Sequence, residues 1–366
     1  MKEIIIKSSI RDFKVKFVDD FSFILEFLKI PYFVVVVESQ VYKIYKEKVF
    51  NKFPKGKLIA LNINEKNKTL PTVVKIYQKL LKFPAKKNLT IISFGGGATQ
   101  DVTGFVASTL YRGINWIYVP TTLLAMADSA IGLKTSLNFN NFKNVLGTFY
   151  PPSQIIINPN FLETLGEKDY YSGLGEIIKL LLMKKKAYKD IENTIKKINK
   201  LKKKRNNKFI INSIRESIEI KMSYMKGDEF DIGRRNLLNF GHELGHALES
   251  TSNFAIPHGI AVIIGIIFAN MVSLKRGYLD RKKFDFINEK ILFLMLNLDF
   301  LKLKKRYFYK DLLLENFKKD KKRVGDNLPL IFIKKDFRLT KIVDFTVKEF
   351  KQILPDFLKI IKPYFK

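Results

Sequence analysis

The sequence contains no cysteine, one tryptophan and three histidines among its 366 residues. Without cysteine the chain cannot form disulfide bonds, use a thiol nucleophile or hold a cysteine-based zinc or iron–sulfur site. Any metal ion must therefore bind to His, Asp or Glu side chains. The N-terminal segment lacks the apolar core and cleavage pattern of a signal peptide. The longest apolar run, Ala261 to Val272, is too short to span a bilayer, so we expect a cytoplasmic protein without membrane partners.

Acidic residues are scarce relative to basic ones: 35 Asp and Glu stand against 66 Lys and Arg, which gives a formal charge of +31. An excess of this size suggests a nucleic-acid-binding protein. The alternative is a lysine-rich composition with solvated charges. The densest basic segment, Lys184 to Lys208, favours this alternative because it lacks the series of aromatic side chains that stack on bases. We therefore expect no nucleic-acid partner.

The pattern of apolar residues changes near residue 165. Before it, β-branched runs that predict strands alternate with segments of helical spacing. The predicted strands are 33–37, 58–61, 89–94, 115–120 and 154–157, and the predicted helices are 41–50 and 72–81. After it, helical spacing dominates, at 170–186, 189–203, 209–224, 237–250 and 259–276. We predict an α/β domain with a largely parallel sheet over residues 1–165 and an all-α domain over residues 166–366.

All three histidines lie within 17 residues, at His242, His246 and His258. Imidazole is the commonest metal ligand, and a catalytic zinc ion takes three protein ligands with a fourth position open. The segment 242–246 also matches the H-E-x-x-H motif of zinc peptidases. We reject a peptidase because Ser252 occupies the position six residues after His246 and because two glycines weaken the helix that the motif needs. The cluster predicts a metal centre of another kind.

Glu176 is the best candidate for a further metal ligand. It lies in an otherwise apolar helical segment, and an acid there needs a cation or a proton, because burying an unpaired carboxylate is costly. Lys179 follows three residues later on the same helix face. The sequence leaves open the alternative that Glu176 and Lys179 form an ion pair on the surface.

A glycine-rich loop, Gly95 to Gly97, follows the predicted strand 89–94 and precedes a helix. Such a loop lets the backbone approach a ligand, and the helix N-terminus offers free N–H groups to a phosphate. The loop matches neither the Rossmann fingerprint nor a P-loop, so a tight strand–helix turn is the alternative to a pyrophosphate site. Polar and basic residues that suit a phosphorylated, sugar-like ligand occur elsewhere: Arg112, Thr121, Thr122, Asp128, Lys134, Lys143, Asn144, Lys221, Arg234, Arg235 and Asn239.

Many sequence blocks occur in the order and spacing of a known family. They are GGGATQDVTGF (95–105), PTTLLA (120–125), DSAIGLKTS (128–136), KNVLGTFYPP (143–152), FLETL (161–165), GLGEIIK (173–179), LLNFGHELGHALE (237–249) and PHGIAV (257–262). From about residue 58 to 335 the chain resembles the 3-dehydroquinate synthases of the sugar phosphate cyclase superfamily. The resemblance implies an α/β N-terminal NAD-binding domain, an all-α C-terminal metal-binding domain and a homodimer.

The resemblance also implies an activity. Enzymes of this family convert 3-deoxy-D-arabino-heptulosonate 7-phosphate to 3-dehydroquinate and phosphate, in the shikimate pathway of aromatic amino acid biosynthesis. NAD is a catalytic cofactor that is regenerated in each turnover, and a divalent metal, zinc or cobalt, assists.

Individual roles follow from the resemblance, position by position. It implies Glu176, His242 and His258 as metal ligands, and His246 as the residue that relays a proton of the reacting hydroxyl. The residues that it assigns to substrate binding are Arg112, Asp128, Lys134, Asn144, Lys179, Lys221, Arg235, Asn239 and Lys321, with Lys322 as the alternative to Lys321. Arg112 would reach the phosphate across the dimer interface. The residues that the resemblance assigns to NAD binding are Glu65, Lys68, Gly96, Gly97, Ala98, Thr99, Gln100, Asp101, Thr121, Thr122, Lys134, Lys143, Phe161, Leu162, Glu163 and Thr164.

Some positions depart from the family pattern, namely Thr99, Gln100, Leu133, Ser136 and Ile260. They suggest a divergent member and leave three alternatives open. One is a sugar phosphate cyclase with another sugar phosphate as substrate. A second is a metal-dependent NAD oxidoreductase that resembles glycerol dehydrogenase. The third is a basic nucleic-acid-binding protein without activity.

Overall fold

A computed structural model describes residues 3–140, 142–184, 193, 196, 207–318 and 327–366. Contacts between Cα atoms divide the chain into two compact units, Met1–Leu165 and Gly166–Lys366. The predicted helix 189–203 and the basic segment Lys184 to Lys208 lie almost wholly outside the described residues, and Lys321 lies outside them. The assignment of NAD to the first unit and of the metal to the second stays a prediction.

A parallel sheet organises the first unit. Its strands are β1 (Glu3–Ile6), β2 (Phe13–Phe17), β3 (Phe33–Glu38), β4 (Leu58–Leu61), β5 (Thr90–Gly95), β6 (Asn115–Pro120) and β9 (Gln154–Ile157), in the order β1-β2-β9-β6-β5-β3-β4. Every neighbouring pair is parallel except β1 and β2. Strand β5 is buried along its whole length and β6 at every residue after Asn115, which explains their apolar runs.

A separate antiparallel pair, β7 (Lys134–Phe139) and β8 (Phe142–Phe149), completes the strands of this unit. The helices of the unit are α1 (Ile24–Leu28), α2 (Ser39–Tyr45), α3 (Leu70–Leu80) and α4 (Gly97–Thr109). The sequence did not predict β1, β2 or this hairpin. In the hairpin, polar side chains pair across the strands, as Thr135 Oγ1 and Thr148 Oγ1 do at 2.7 Å, so the apolar alternation that marks a strand is weak.

The predicted helix 41–50 is too long. Helix α2 ends at Tyr45, and a turn follows that brings Val49 and Phe50 fully into the core. The Phe50 ring centroid lies 5.2 Å from that of Phe94 on β5. Burial of these side chains against the sheet outweighs the local preference for a continued helix.

The second unit is mainly helical, so the predicted fold class is confirmed. Its helices are α5 (Glu167–Met183), α6 (Asn207–Met225), α7 (His242–Thr251), α8 (His258–Lys275), α9 (Arg281–Ile287), α10 (Lys310–Lys318) and α11 (Val347–Ile361). One antiparallel pair, β10 (Leu328–Ile333) and β11 (Leu339–Phe345), was not predicted. Helix α8 is long and apolar enough to cross a membrane, but 83% of it is buried inside the protein, as in the core helix of a soluble protein.

Helices α5 and α8 meet backbone to backbone through two glycines. A Cβ atom added to Gly175 would lie 2.4 Å from the carbonyl oxygen of Gly259, and one added to Gly259 would lie 1.8 Å from that of Ser172. The Ser172 hydroxyl accepts a hydrogen bond from the Gly259 N–H at 3.1 Å, which fixes the contact. Both glycines adjoin a predicted metal ligand in the sequence, so this approach sets the separation of those ligands.

A second glycine contact joins α7 to α8. A Cβ atom on Gly265 would lie 1.9 Å from the carbonyl oxygen of Gly241. Gly241 has a φ of 77°, in the left-handed region that favours glycine, and it immediately precedes α7. The glycines that weaken a helix in isolation therefore bring the helices of this unit together.

We predict that Gly175→Ala and Gly259→Ala each lower the free energy of unfolding by about 1–3 kcal/mol or more, because a methyl group must separate two packed backbones. Urea unfolding followed by circular dichroism measures the change. Gly166→Ala is the matched control: it precedes the same helix α5, and a Cβ atom there meets nothing within 4 Å. Equal stability of all three variants would contradict this account of the helix contact.

Candidate active site

The predicted NAD-binding positions follow the carboxyl ends of parallel strands. Ligands of open α/β sheets bind at this edge, where the chain switches from one side of a strand to the other. Here β4 pairs with one side of β3, and β5 pairs with its other side. The predicted positions are Glu65 and Lys68 after β4, Gly96 to Asp101 after β5, Thr121 and Thr122 after β6, and Phe161 to Thr164 after β9.

The glycine-rich loop ends where α4 begins, at Gly97, so the free N–H groups of this helix face the end of the sheet. Thr99 and Gln100 are buried. The Gln100 amide donates to the carbonyl oxygen of Ser129 at 2.9 Å, and the Ser129 hydroxyl donates back to its Oε1 at 3.0 Å. The Gln100 side chain therefore holds the loop in place, and the backbone of the first turn is the part that suits a pyrophosphate.

A buried lysine joins residues that the sequence assigned to different ligands. Lys68 Nζ lies 2.8 Å from Asp101 Oδ2, 2.5 Å from Asn144 Oδ1 and 3.3 Å from Glu65 Oε2. Burial lowers the pKa of Lys68, but the charges of Asp101 and Glu65 outweigh it and raise the pKa above its usual value. The protonated lysine thus connects α4 with β8.

Asn144 is held by the hairpin as well. It adopts a left-handed backbone conformation with a φ of 53°, its N–H donates to Asn138 Oδ1 at 3.0 Å, and its Oδ1 accepts from the Ser136 hydroxyl at 2.9 Å. A non-glycine residue in this region is uncommon and is often found at functional sites. Lys134 and Lys143 lie on the same hairpin.

The remaining predicted residues of the first unit differ in exposure. Phe161 and Leu162 are buried in the core, so their side chains are not available to a ligand. The Thr164 hydroxyl lies 2.8 Å from that of Tyr45. Arg112 is exposed and has a φ of 61°. The remaining positions are Asp128 in a π-helical turn, Ala98 in the first turn of α4, and Glu163 after a 3-10 turn.

In the second unit the three predicted metal ligands converge. Glu176 Oε1 lies 3.4 Å from His258 Nε2 and 3.7 Å from His242 Nε2. One ligand atom from each of the three residues lies within 4.8 Å of the others. Glu176 is fully buried. A carboxylate and two imidazole nitrogens form a donor set that zinc accepts, with a fourth position left for substrate or water.

The surface ion pair that the sequence left open is not what the structure shows. Lys179 Nζ lies 2.6 Å from Glu176 Oε2, but both side chains are buried. Glu176 therefore directs one oxygen to a lysine and the other to two histidines.

Two acidic residues surround His258. Burial lowers its pKa, but the charge of Glu249 and the hydrogen bonds with Glu176 and Glu249 outweigh burial and raise the pKa to about 10. The surroundings of this imidazole therefore favour a positive charge, which a proton or a metal ion can supply.

His246 lies one turn after His242 on α7, with ring centroids 5.2 Å apart. It belongs to a second group of potential metal ligands, His246, Glu249 and His258, which also lie within 4.8 Å of one another. Glu249 is not among the site residues predicted from the sequence. The signal was available, because positions 242, 246 and 249 fall on one face of a helix.

A loop anchored by Asp228 carries two predicted substrate residues. Its carboxylate accepts backbone hydrogen bonds from Ile232 at 2.8 Å, Gly233 at 2.9 Å and Arg235 at 2.7 Å. Arg235 is buried, and its guanidinium donates to the carbonyl oxygen of Glu229. Asn239 ends the 3-10 turn that follows, directly before α7.

Helix α6 packs against this turn and contributes the buried Lys221. Lys221 and the two loop residues thus belong to the same unit as the metal cluster. The structure therefore supplies buried cationic side chains in the unit where the sequence predicts an anionic substrate.

Comparison with known proteins agrees with this geometry. Residues 58–172 match the family model of the 3-dehydroquinate synthase N-terminal domain, and residues 173–323 match that of the C-terminal domain. The 3-dehydroquinate synthase of Dictyoglomus turgidum is 36% identical over 316 residues, which is 86% of each chain.

Solved structures show the same fold. A 2-deoxy-scyllo-inosose synthase in complex with carbaglucose-6-phosphate, NAD+ and Co2+ superposes with a TM-score of 0.80 at 23% identity, over 97% of this chain and 99% of the other. The 2-epi-5-epi-valiolone synthase of Streptomyces hygroscopicus, with NAD+ and Zn2+, superposes with a TM-score of 0.77 at 22% identity over the same shares. The fold is thus the one that these sugar phosphate cyclases have. The family models and the Dictyoglomus relative show that the chain belongs to the 3-dehydroquinate synthase family, so the predicted family is confirmed.

We predict that Asp228→Asn destabilises the protein by about 1–2 kcal/mol at pH 7, because three N–H groups lose an anionic acceptor. Burial raises the pKa of Asp228, but these hydrogen bonds outweigh burial and lower it. Such a group stabilises the fold above its unfolded pKa, near 3.9, and the contribution disappears as the pH falls through the lower folded pKa.

The stability difference between wild type and Asp228→Asn should therefore shrink below about pH 4, which urea unfolding at several pH values measures. The exposed Asp299→Asn is the control for loss of a negative charge. A difference that persists unchanged at pH 3 would show that the carboxylate charge has no part in holding the loop.

Proposed function

We propose that this enzyme converts 3-deoxy-D-arabino-heptulosonate 7-phosphate to 3-dehydroquinate and phosphate, with NAD and a divalent metal ion, zinc or cobalt, as cofactors. The observation that carries the proposal is the convergence of Glu176, His242 and His258 in a chain of this family. Relatives of the same class bind NAD+ with Co2+ or Zn2+, and the donor set of this chain fits either ion.

When bound, the metal would polarise a hydroxyl or carbonyl oxygen of the substrate, and NAD would accept and return a hydride. Glu176, His242 and His258 would hold the metal. We assign to His246, whose ring lies beside that of His242, the transfer of a proton from and to the reacting hydroxyl.

Cationic side chains would bind the two anionic groups of the substrate. Lys179, Lys221 and Arg235 are buried in the metal-binding unit. Arginine and lysine form charge-assisted hydrogen bonds with carboxylate and phosphate, and these bonds are stronger where water is excluded. In the other unit, Lys134 and Asn144 lie on the β7–β8 hairpin, and we assign them to the substrate hydroxyls and carboxylate.

NAD would lie along the carboxyl edge of the parallel sheet. The first turn of α4 would bind its pyrophosphate through backbone N–H groups. We assign Thr121 and Thr122, which follow the adjacent strand β6, to the same cofactor. The buried network of Lys68 and Asp101 holds α4 against the hairpin, and so orders both ligand-binding segments of this unit.

We expect the enzyme to release phosphate and 3-dehydroquinate in equal amounts without net NADH accumulation, because the cofactor is oxidised again within the cycle. A chelator should abolish phosphate release, and Zn2+ or Co2+ should restore it. His242→Ala should leave phosphate release at the background level even with excess metal. A coupled phosphate assay with absorbance at 340 nm follows both quantities.

Two results would contradict this proposal. Failure of the metal- and NAD-loaded enzyme to release phosphate from this substrate would exclude the assigned reaction and favour another sugar phosphate. Accumulation of NADH in step with turnover would indicate a dehydrogenase. Glu349→Gln, which removes an acid paired with Arg276 in the same unit, is the control and should keep the activity.

We infer that the enzyme acts as a homodimer through the β7–β8 hairpin. Phe139 and Phe142 pair across its two strands and are exposed, with 47% and 59% of their surface accessible. Exposed apolar clusters of this kind mark association surfaces, and a symmetric dimer would cover the same patch on both copies. The exposed Arg112 would then bind the phosphate in the site of the second copy.

A mixing experiment tests this arrangement. Arg112→Ala and His242→Ala should each be inactive, but mixed dimers contain one site in which both residues are intact. After dissociation and random reassociation we expect about one quarter of the wild-type activity, because half of the dimers are mixed and one of their two sites is complete.

The control mixes His242→Ala with Glu176→Ala, which damage the same metal site and should not complement each other. Activity that stays at the background level in the first mixture, although mixed dimers form, would show that Arg112 does not act across the interface.

A further inference from the structure

We propose that Glu249 is a positioning residue of the metal centre: its carboxylate holds His258 so that Nε2 of this imidazole points to Glu176. The inference rests on the metal site of the proposed function and adds a residue that none of the roles above includes. It concerns how the site is held together, and it can be tested without substrate or NAD.

The two ring nitrogens of His258 face different carboxylates. Nε2 lies 3.4 Å from Glu176 Oε1, and Nδ1 lies 3.2 Å from Glu249 Oε2. An imidazole whose Nδ1–H donates to a carboxylate keeps the lone pair of Nε2 for a metal ion. Glu249 therefore selects the tautomer in which His258 can act as a ligand on the side of Glu176.

His242 has the same arrangement with a different acceptor. Its Nδ1 lies 3.3 Å from the carbonyl oxygen of Phe240, and its Nε2 faces Glu176 at 3.7 Å. Backbone geometry thus orients this ring. His258 is the first residue of α8 and follows Pro257, so the preceding residues do not form a helical turn beside it. The side chain of Glu249, on α7, orients the His258 ring instead.

The location of Glu249 requires compensation for its charge, and the His258 imidazole contributes to it. Glu249 is buried, and a carboxylate at this depth is costly unless it is paired. It also lies in the last turn of α7, where the helix dipole disfavours negative charge. Contact with an imidazole N–H, and with the positive charge of a metal ion beyond the ring, offsets both costs.

The competing interpretation makes Glu249 itself a ligand, together with His246 and His258. One imidazole cannot present both nitrogens to a single ion. In the set that contains Glu176, His242 and His258 both direct Nε2 to Glu176 Oε1, whereas Glu249 faces Nδ1 of His258. The geometry therefore favours Glu176 as the ligand and Glu249 as the support.

The experiment measures Zn2+ affinity by competition with a chromogenic chelator, on the full-length protein with Glu249→Ala and Glu249→Gln. Loss of a residue that supports a ligating histidine typically weakens metal binding about 10–100-fold, and we expect this for Glu249→Ala. Glu249→Gln should lose less, because its amide oxygen still accepts the Nδ1–H. Co2+ bound to either variant should keep the visible absorption bands of the wild type, since its ligands are unchanged.

Two results would overturn the proposal. Zn2+ affinity within twofold of wild type in Glu249→Ala would show that Glu249 does not position His258. Loss of Zn2+ binding together with altered Co2+ bands, as expected for Glu176→Ala, would make Glu249 a ligand. Glu349→Gln is the control for loss of a half-buried carboxylate elsewhere in the unit. Circular dichroism checks that each variant folds.

Metal affinity and turnover separate this proposal from the proposed function. If Glu249→Ala weakens Zn2+ binding while the wild type releases no phosphate from the heptulosonate phosphate, the positioning role stands and the reaction is wrong. If the wild type is active and the variant binds Zn2+ normally, the reaction stands and the positioning role is wrong.

Discussion

The close approach of three helix backbones is the constraint on which the second unit depends. The helices that carry Glu176, His242 and His258 pack more closely than ordinary side chains allow. Glycine removes the side chain at these contacts, and each contact lies one residue from a ligand. The neighbouring pairs are Gly175 with Glu176, Gly241 with His242 and Gly259 with His258. Packing and chemistry are therefore encoded at adjacent positions.

The first unit uses a buried charge for the same purpose. The segments predicted to bind NAD come from separate parts of the chain, and Lys68 joins α4 to the hairpin through hydrogen bonds with Asp101 and Asn144. Such a lysine is costly to bury alone but is stabilised by carboxylates around it. Glycine contacts fix distance in one unit, and a charged hydrogen-bond network fixes it in the other.

The sequence predicted strands whose side chains are buried in the core, but it did not predict the hairpin whose polar side chains pair across its two strands. Strands β4, β6 and β9 have the predicted bounds. Strands β6 and β9 are buried beyond their first residue, and strands covered on both faces appear as unbroken apolar runs. The β7–β8 hairpin has no such run, because its polar residues pair across the strands. Periodicity also could not show that Glu176 and Lys179 are buried rather than exposed. Helix spacing places Glu249 on the same face as His242 and His246, but it does not show the contact with His258 on a second helix from which the proposed role follows.

The net charge of +31 does not indicate a function, whereas the buried basic side chains indicate where anionic groups bind. Among the residues that the structure describes, four lysine or arginine side chains are buried: Lys68, Lys179, Lys221 and Arg235. All four occupy positions that the family resemblance assigns to NAD or substrate. An exposed lysine is solvated and screened by salt, but a buried cation must be compensated by anions, from the protein or from a ligand. Protein carboxylates already compensate Lys68 and Lys179. In the proposed reaction the two anionic groups of the phosphorylated sugar acid would add compensation in the second unit, so binding of such a substrate would stabilise that unit.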